Sequence, residues 1–201
     1  MSKNEDLHGN APDKSSVALI LIDVISDFEF EDGAKLFKLA LPAAKKIAAL
    51  KKEAGKQKIP AIYVNDNFGK WRSDFKKLLA HALDKKTRGS EIVEILKPDE
   101  DDYFLLKPKH SGFYSTTLET LLAYLGTKTL IITGFATNIC VLFTANDAYM
   151  RDFDLLIPAD CVAAYSAKEN KETLAYMKKV LKADVKPSTR IDLRKLSEQP
   201  A

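Results

Sequence analysis

Short apolar runs rich in β-branched residues alternate along this chain with longer amphipathic segments. Val17–Ile22 is apolar at every position. It is too short for a helix and apolar on both faces, as a buried parallel strand requires. Residues 34–54 then place Leu36, Phe37, Leu39, Ala40, Ala43, Ala44, Ile47 and Leu50 at helical spacing, with lysines between them and Gly55 as a stop signal. Pro60–Val64 predicts a second strand, Phe75–Leu83 a helix, Tyr103–Leu106 a third strand and Thr116–Leu125 a helix ended by Gly126. Thr129–Thr133 predicts a fourth strand and residues 138–150 a helix. Asp154–Ile157 follows as a fifth strand, residues 168–182 as a lysine-rich helix, and Ala183–Val185 as a short last strand.

Repeated strand–helix–strand units with short connections favour one sheet covered by helices on both faces. The expectation is a single three-layer α/β/α domain over residues 16–187, with a doubly wound, mainly parallel six-stranded sheet of Rossmann-like form. Residues 1–15 and 188–201 are polar and are expected to be loosely held tails. A length of 201 residues suits one large domain, and 46% hydrophobic with 29% charged residues is ordinary for a globular enzyme.

Charge narrows the partners. A formal net charge of +3, with no basic block interleaved with aromatics, argues against a nucleic-acid partner. No run reaches the roughly 18–20 apolar residues that span a bilayer, and the polar start has no signal-peptide core, so no membrane partner and a cytoplasmic location are expected. Two cysteines do not make a disulfide framework. Both are expected to be reduced, as a thiol nucleophile must be.

In doubly wound sheets, ligands bind beyond the carboxyl ends of the strands. The polar residues at those ends are therefore the candidates for chemistry. Asp23 follows six apolar residues, where a carboxylate is expensive to bury unless paired or used. Lys107 follows Phe104–Leu106 directly, and a cation there suggests a nearby anion. Cys140 lies six residues past the fourth strand, near the start of a helix whose free N–H groups favour a thiolate and an oxyanion. A buried cysteine is by itself more often packing than nucleophile. If strands one, three and four ran side by side, an acid, a cation and a thiol would meet at one sheet edge.

Three strings carry a resemblance. Leu21-Ile-Asp23-Val-Ile-Ser-Asp-Phe28, Lys107-Pro-Lys-His-Ser-Gly-Phe113 and Gly134-Phe-Ala-Thr-Asn-Ile-Cys-Val141 resemble the isochorismatase-like cysteine hydrolases, in the family's order and each at a strand end. The superfamily includes nicotinamidases, N-carbamoylsarcosine amidases and isochorismatases. The resemblance implies Cys140 as nucleophile, Asp23 as acid and base for both thiol and water, and Lys107 as the partner lysine. It also implies a cis peptide between Phe135 and Ala136, which aims the N–H groups of Ala136 and Cys140 at a substrate oxyanion. The activity implied is hydrolysis of a small amide or carbamoyl compound through a thioester, with no cofactor. Members that hydrolyse a vinyl ether need not have the cysteine, so Cys140 tips the balance toward amides. A silent regulatory member is the remaining alternative. The family's habit implies a dimer or tetramer.

The chain also departs from that family. Phe68 stands where nicotinamidases carry a metal-binding histidine after the second strand, so no metal is expected. Only His8, His81 and His110 are present, and Asp66 with His81 is the one conceivable metal pair. Ile25 and Ser26 replace the usual Gln and Asn. Phe28, Asn67, Trp71 and Phe113 are the expected substrate-binding residues, and His110 is a candidate for the site entrance.

Overall fold

The computed structural model describes residues 11, 14–69, 71 and 74–198. His8 and most of the expected N-terminal tail lie outside these residues. Six strands form one all-parallel sheet: β1 (Val17–Ile22), β2 (Ala61–Asp66), β3 (Tyr103–Lys107), β4 (Thr129–Phe135), β5 (Asp154–Leu156) and β6 (Val162–Ala163). Their order is β3-β2-β1-β4-β5, with β6 also paired to β4. The chain starts at the centre, winds to one edge, then returns past β1 to build the other side. The doubly wound three-layer expectation holds.

Register shows how β1 serves both faces. Leu19 pairs with Ala61 on one side and with Ile131 on the other. Val17, Leu19 and Leu21 enter one core with α1 (Gly33–Lys56), α2 (Phe75–Ala82) and α3 (Ser90–Ile95). Ala18, Ile20 and Ile22 enter a second core with α4 (Leu118–Leu125), α5 (Leu142–Tyr149) and α6 (Ala167–Val180). Every residue of β1 is fully buried. Each large side chain there contributes roughly 1.5–3 kcal/mol by leaving water.

Four local expectations are corrected. β1 and β3 are not neighbours, because β2 lies between them. The sixth strand is Val162–Ala163 rather than Ala183–Val185. It continues past the short β5 to pair with Gly134 and Phe135, which leaves Asp184 only a single bridge to Leu156. α3 was not foreseen; its start at Arg88 and Gly89 buttresses the loop after β1, Arg88 donating to the Phe28 carbonyl at 2.5 Å and Gly89 to that of Asp27 at 3.0 Å. Lastly, residues 187–198 are held rather than loose. Leu193, which opens the helix α7 (Leu193–Ser197), sits in the core, and Ser188 binds the Asp160 carboxylate through its N–H at 2.7 Å and its hydroxyl at 2.8 Å.

Candidate active site

The carboxyl ends of β1 to β4 are the polar corner of an otherwise apolar sheet. β1 stops at Ile22 because Asp23 turns left-handed, at φ 52°. That turn lets the Asp23 Oδ1 accept the N–H of Asp66 at 2.7 Å, across the end of β2. Lys107 is the last residue of β3, in register with Asp66, and is completely buried. Its stem crosses β2 to bring Nζ within 2.9 Å of Asp23 Oδ2, 3.3 Å of Asp66 Oδ2 and 3.5 Å of Cys140 Sγ.

The thiol arrives by a different device. Gly134 in β4 has φ 122°, and a Cβ there would fall 2.0 Å from the Ile22 carbonyl oxygen, so no other residue fits. Ala136 then takes the left-handed conformation, at φ 55° and ψ 62°, and one π-helical turn over Thr137–Val141 leads into α5. Such turns widen the helix and recur at functional sites. The expected cis peptide before Ala136 is corrected, since the described residues contain none. Ala136 takes the left-handed conformation there instead. The expected helix from Asn138 is split in the same way, with Cys140 inside the π turn.

Two further bonds tie this turn to its surroundings. The Thr144 hydroxyl donates to the Cys140 carbonyl at 2.7 Å and accepts the Gly112 N–H at 2.9 Å, joining the loop after β3 to the cysteine turn. Thr137 donates to Asn170 of α6 at 2.6 Å.

Two anions and one cation surround the thiol. Burial pushes the Cys140 thiol well above its ordinary range, the Asp23 charge pushes it further, and Lys107 offsets only part of this. Burial alone would lower the Lys107 ammonium, but Asp23, the cysteine and Asp66 together outweigh it and hold the lysine charged. Burial and Asp23 thus disfavour the thiolate, and Lys107 is the neighbour that opposes them.

Cys140, Asp23 and Asp66 open into a cavity of about 280 Å³. Phe28, Phe30, Leu36, Phe68, Phe135, Ala136, Ile139 and Tyr165 make its walls, with Ser26 and His110 as further polar members. The Phe28 ring is fully buried and packs against Phe30, Phe37 and Phe135, with centroids 5.7–6.2 Å apart. Of the four expected substrate-binding residues, only Phe28 lines this cavity. Asn67 shapes its own loop by accepting the Gly69 N–H at 2.9 Å. Trp71 is 78% exposed and away from the cavity lining. Phe113 is a core residue, its ring tilted against Phe153 and lying under the Arg151 guanidinium.

Asp66 is the contributor that the sequence reading undervalued, although it carries the same signal as Asp23, a carboxylate closing an apolar strand. His81 does not join it; its Nε2 lies 2.9 Å from Asp27. Among the described residues, no group of three or more His, Cys, Asp or Glu is arranged to hold a metal ion. Phe30 and Tyr165 were not singled out, because only the folded loops bring them to the wall.

A family model described as the isochorismatase domain matches residues 17–185. The chain belongs to the isochorismatase family. An uncharacterised isochorismatase family protein of Bacillus subtilis, YaaI, is 43% identical over 172 residues, covering 86% of this chain and 94% of that protein. The ureidoacrylate amidohydrolase RutB of Methylorubrum extorquens is 42% identical over 78 residues, which span 39% of this chain and 32% of the relative. Among solved structures, the N-carbamoylsarcosine amidase of Thermoplasma acidophilum superposes with a TM-score of 0.69 at 28% identity, covering 88% of this chain and 99% of that one. The sheet of this isochorismatase-family hydrolase is thus that of a known architecture. Among the described residues, no helix is long and apolar enough to cross a membrane.

Proposed function

We propose that this protein hydrolyses a small amide or carbamoyl compound through a thioester on Cys140. The observation that carries the reading is the convergence of the Cys140 thiol, the Lys107 ammonium 3.5 Å away and the Asp23 carboxylate 2.9 Å beyond it, at one wall of an apolar cavity. Asp23 takes the thiol proton as sulfur attacks the carbonyl carbon. Lys107, held charged, stabilises the thiolate as it forms and keeps the carboxylate aimed. The backbone N–H groups of Ala136 and Cys140 bind the oxyanion, where each such donor is typically worth on the order of 10²–10³ in rate. Asp23 returns its proton to the departing amine as the C–N bond breaks. Phe28 and its aromatic neighbours bind the acyl group.

The amidase relatives support this direction. So does retention of the cysteine itself, which vinyl ether hydrolysis does not require. Free thiols at Cys140 and Cys161 fit a reducing, cytoplasmic setting. Exposed Phe143, Tyr149 and Met150 on and beside α5 fit a dimer or tetramer, which light scattering of the purified chain would test.

The deciding experiment measures ammonia release from a panel of small amides, ureido acids and nicotinamide, with Cys140→Ala as control. We expect release from at least one compound by the native chain and none by the variant. Silence across the panel, or turnover unaffected by Cys140→Ala, overturns the proposal.

A further inference from the structure

Given hydrolysis at Cys140, as read above, the walls of the cavity decide which acyl group it takes. We propose that the substrate is a primary amide with an uncharged, ring-sized apolar acyl group, and that Asp66 turns away amides that carry a carboxylate, ureido acids among them.

Charge is the first observation. Among the described residues, Asp23 and Asp66 are the only Asp, Glu, Lys or Arg side chains that line the cavity. Lys107 is not part of that lining. It is completely buried, and its one ammonium is shared between the two acids at 2.9 and 3.3 Å. Cations on the loops nearby are also engaged: Lys35 lies 2.6 Å from Asp32, and Arg88 donates to the Phe28 carbonyl and lies 3.6 Å from Glu29. A carboxylate entering this space would shed its water, find no cation on the described wall, and meet like charge. Repulsion of this kind is how a site rejects a competitor of the same shape.

The walls are the second observation. Five rings face the cavity, those of Phe28, Phe30, Phe68, Phe135 and Tyr165. Phe30 and Phe68 are 41% and 46% exposed, so both keep open surface for a ligand. Such rings favour a flat apolar group, in stacked or edge-to-face contact. An apolar cavity of about 150 Å³ already holds a benzene ring. The volume here, about 280 Å³, takes a substituted six-membered ring with its carboxamide.

Asp66 joins the two observations. Its Oδ1 accepts the Phe68 N–H at 2.6 Å, with Phe68 in a left-handed turn at φ 51°. The carboxylate that sets the charge of the wall therefore also seats one of its rings. Asp66→Asn keeps an acceptor for that N–H and removes the charge.

The test compares 3-acetylbenzamide with 3-carbamoylbenzoate, which are nearly equal in size and differ in charge. Ammonia release gives kcat/KM for each. The assay is run at about pH 8.5, because histidine titrates near neutrality and His110 also lines the cavity. The native chain should favour 3-acetylbenzamide by about 10²-fold, as expected for like charges a few ångström apart near a protein surface. Asp66→Asn should narrow that ratio by about tenfold or more, even as both rates fall; a merely structural loss would lower both alike. Equal use of the two amides by the native chain, or preference for the carboxylate, overturns the inference, as does an unmoved ratio in a folded Asp66→Asn. Hydrolysis of a ureido acid with both benzamides untouched overturns it too, and leaves the cysteine reading standing. Absence of Cys140-dependent release from every amide and ureido acid overturns both.

Discussion

Cys140 and Cys161 make an instructive pair. Both are free and buried, and burial raises both thiols, that of Cys161 to about 12. Their neighbours differ. Cys161 is fully buried, donates weakly to Asp160 at 3.8 Å, and meets a carboxylate already occupied by Ser188. Cys140 has an ammonium at 3.5 Å and a cavity in front of it. A raised thiol is therefore no mark of function by itself. A cation within reach and space for a carbonyl group are what separate a nucleophile from packing.

Substitutions can break this contrast, starting with the largest effect. Cys140→Ala should lower turnover of any true substrate by at least about 10³-fold, equivalent to roughly 4 kcal/mol of barrier, with circular dichroism unchanged. Equal loss from Cys161→Ala would erase the distinction. Lys107→Met should come next. It strands two carboxylates that share one buried ammonium, and should cost about 3–5 kcal/mol in urea unfolding as well as activity. Gly134→Ala should destabilise by about 2–4 kcal/mol, through its clash with the Ile22 carbonyl and its left-handed φ. Cys161→Ala should cost only about 1 kcal/mol and leave turnover within about threefold.

The smallest effect lies in alkali. The Cys161 thiol rises from an ordinary 9.0 to about 12 on folding. A group raised in this way contributes stability that is whole below its unfolded value and is lost as the pH climbs toward the folded one. The native chain should therefore lose about 1 kcal/mol more than Cys161→Ala between pH 8 and pH 10 in parallel unfolding titrations. Identical slopes would show that this thiol is not raised.

The contrast between the two cysteines was only partly legible in the sequence. Asp23, Lys107 and Cys140 stood out because each follows an apolar strand, and parallel strands deliver their ends to one edge whatever the details of order. That β2 separates β1 from β3 was not visible, and it decides that Lys107 reaches Asp23 across Asp66. Phe113 and Trp71 show the converse limit. Aromatic identity says nothing about which way a loop turns, and one went to the core and the other to solvent. The π turn at Cys140 carries no periodic signal, because a single widened turn leaves the apolar spacing almost unchanged. β6 is two residues long and is defined only by its partners in β4.

The docked C-terminal segment has a consequence for how the chain can be cut and rejoined. The Ser16 hydroxyl lies 3.5 Å from the Leu196 carbonyl, so the entry and exit of the folded unit are neighbours. A short linker from Glu198 back to Ser15 would bridge that gap, and new ends could be opened between the exposed Glu100 and Asp101, ahead of β3. Such a circular permutant would keep every strand in its present place while moving the chain breaks to the far side of the sheet order.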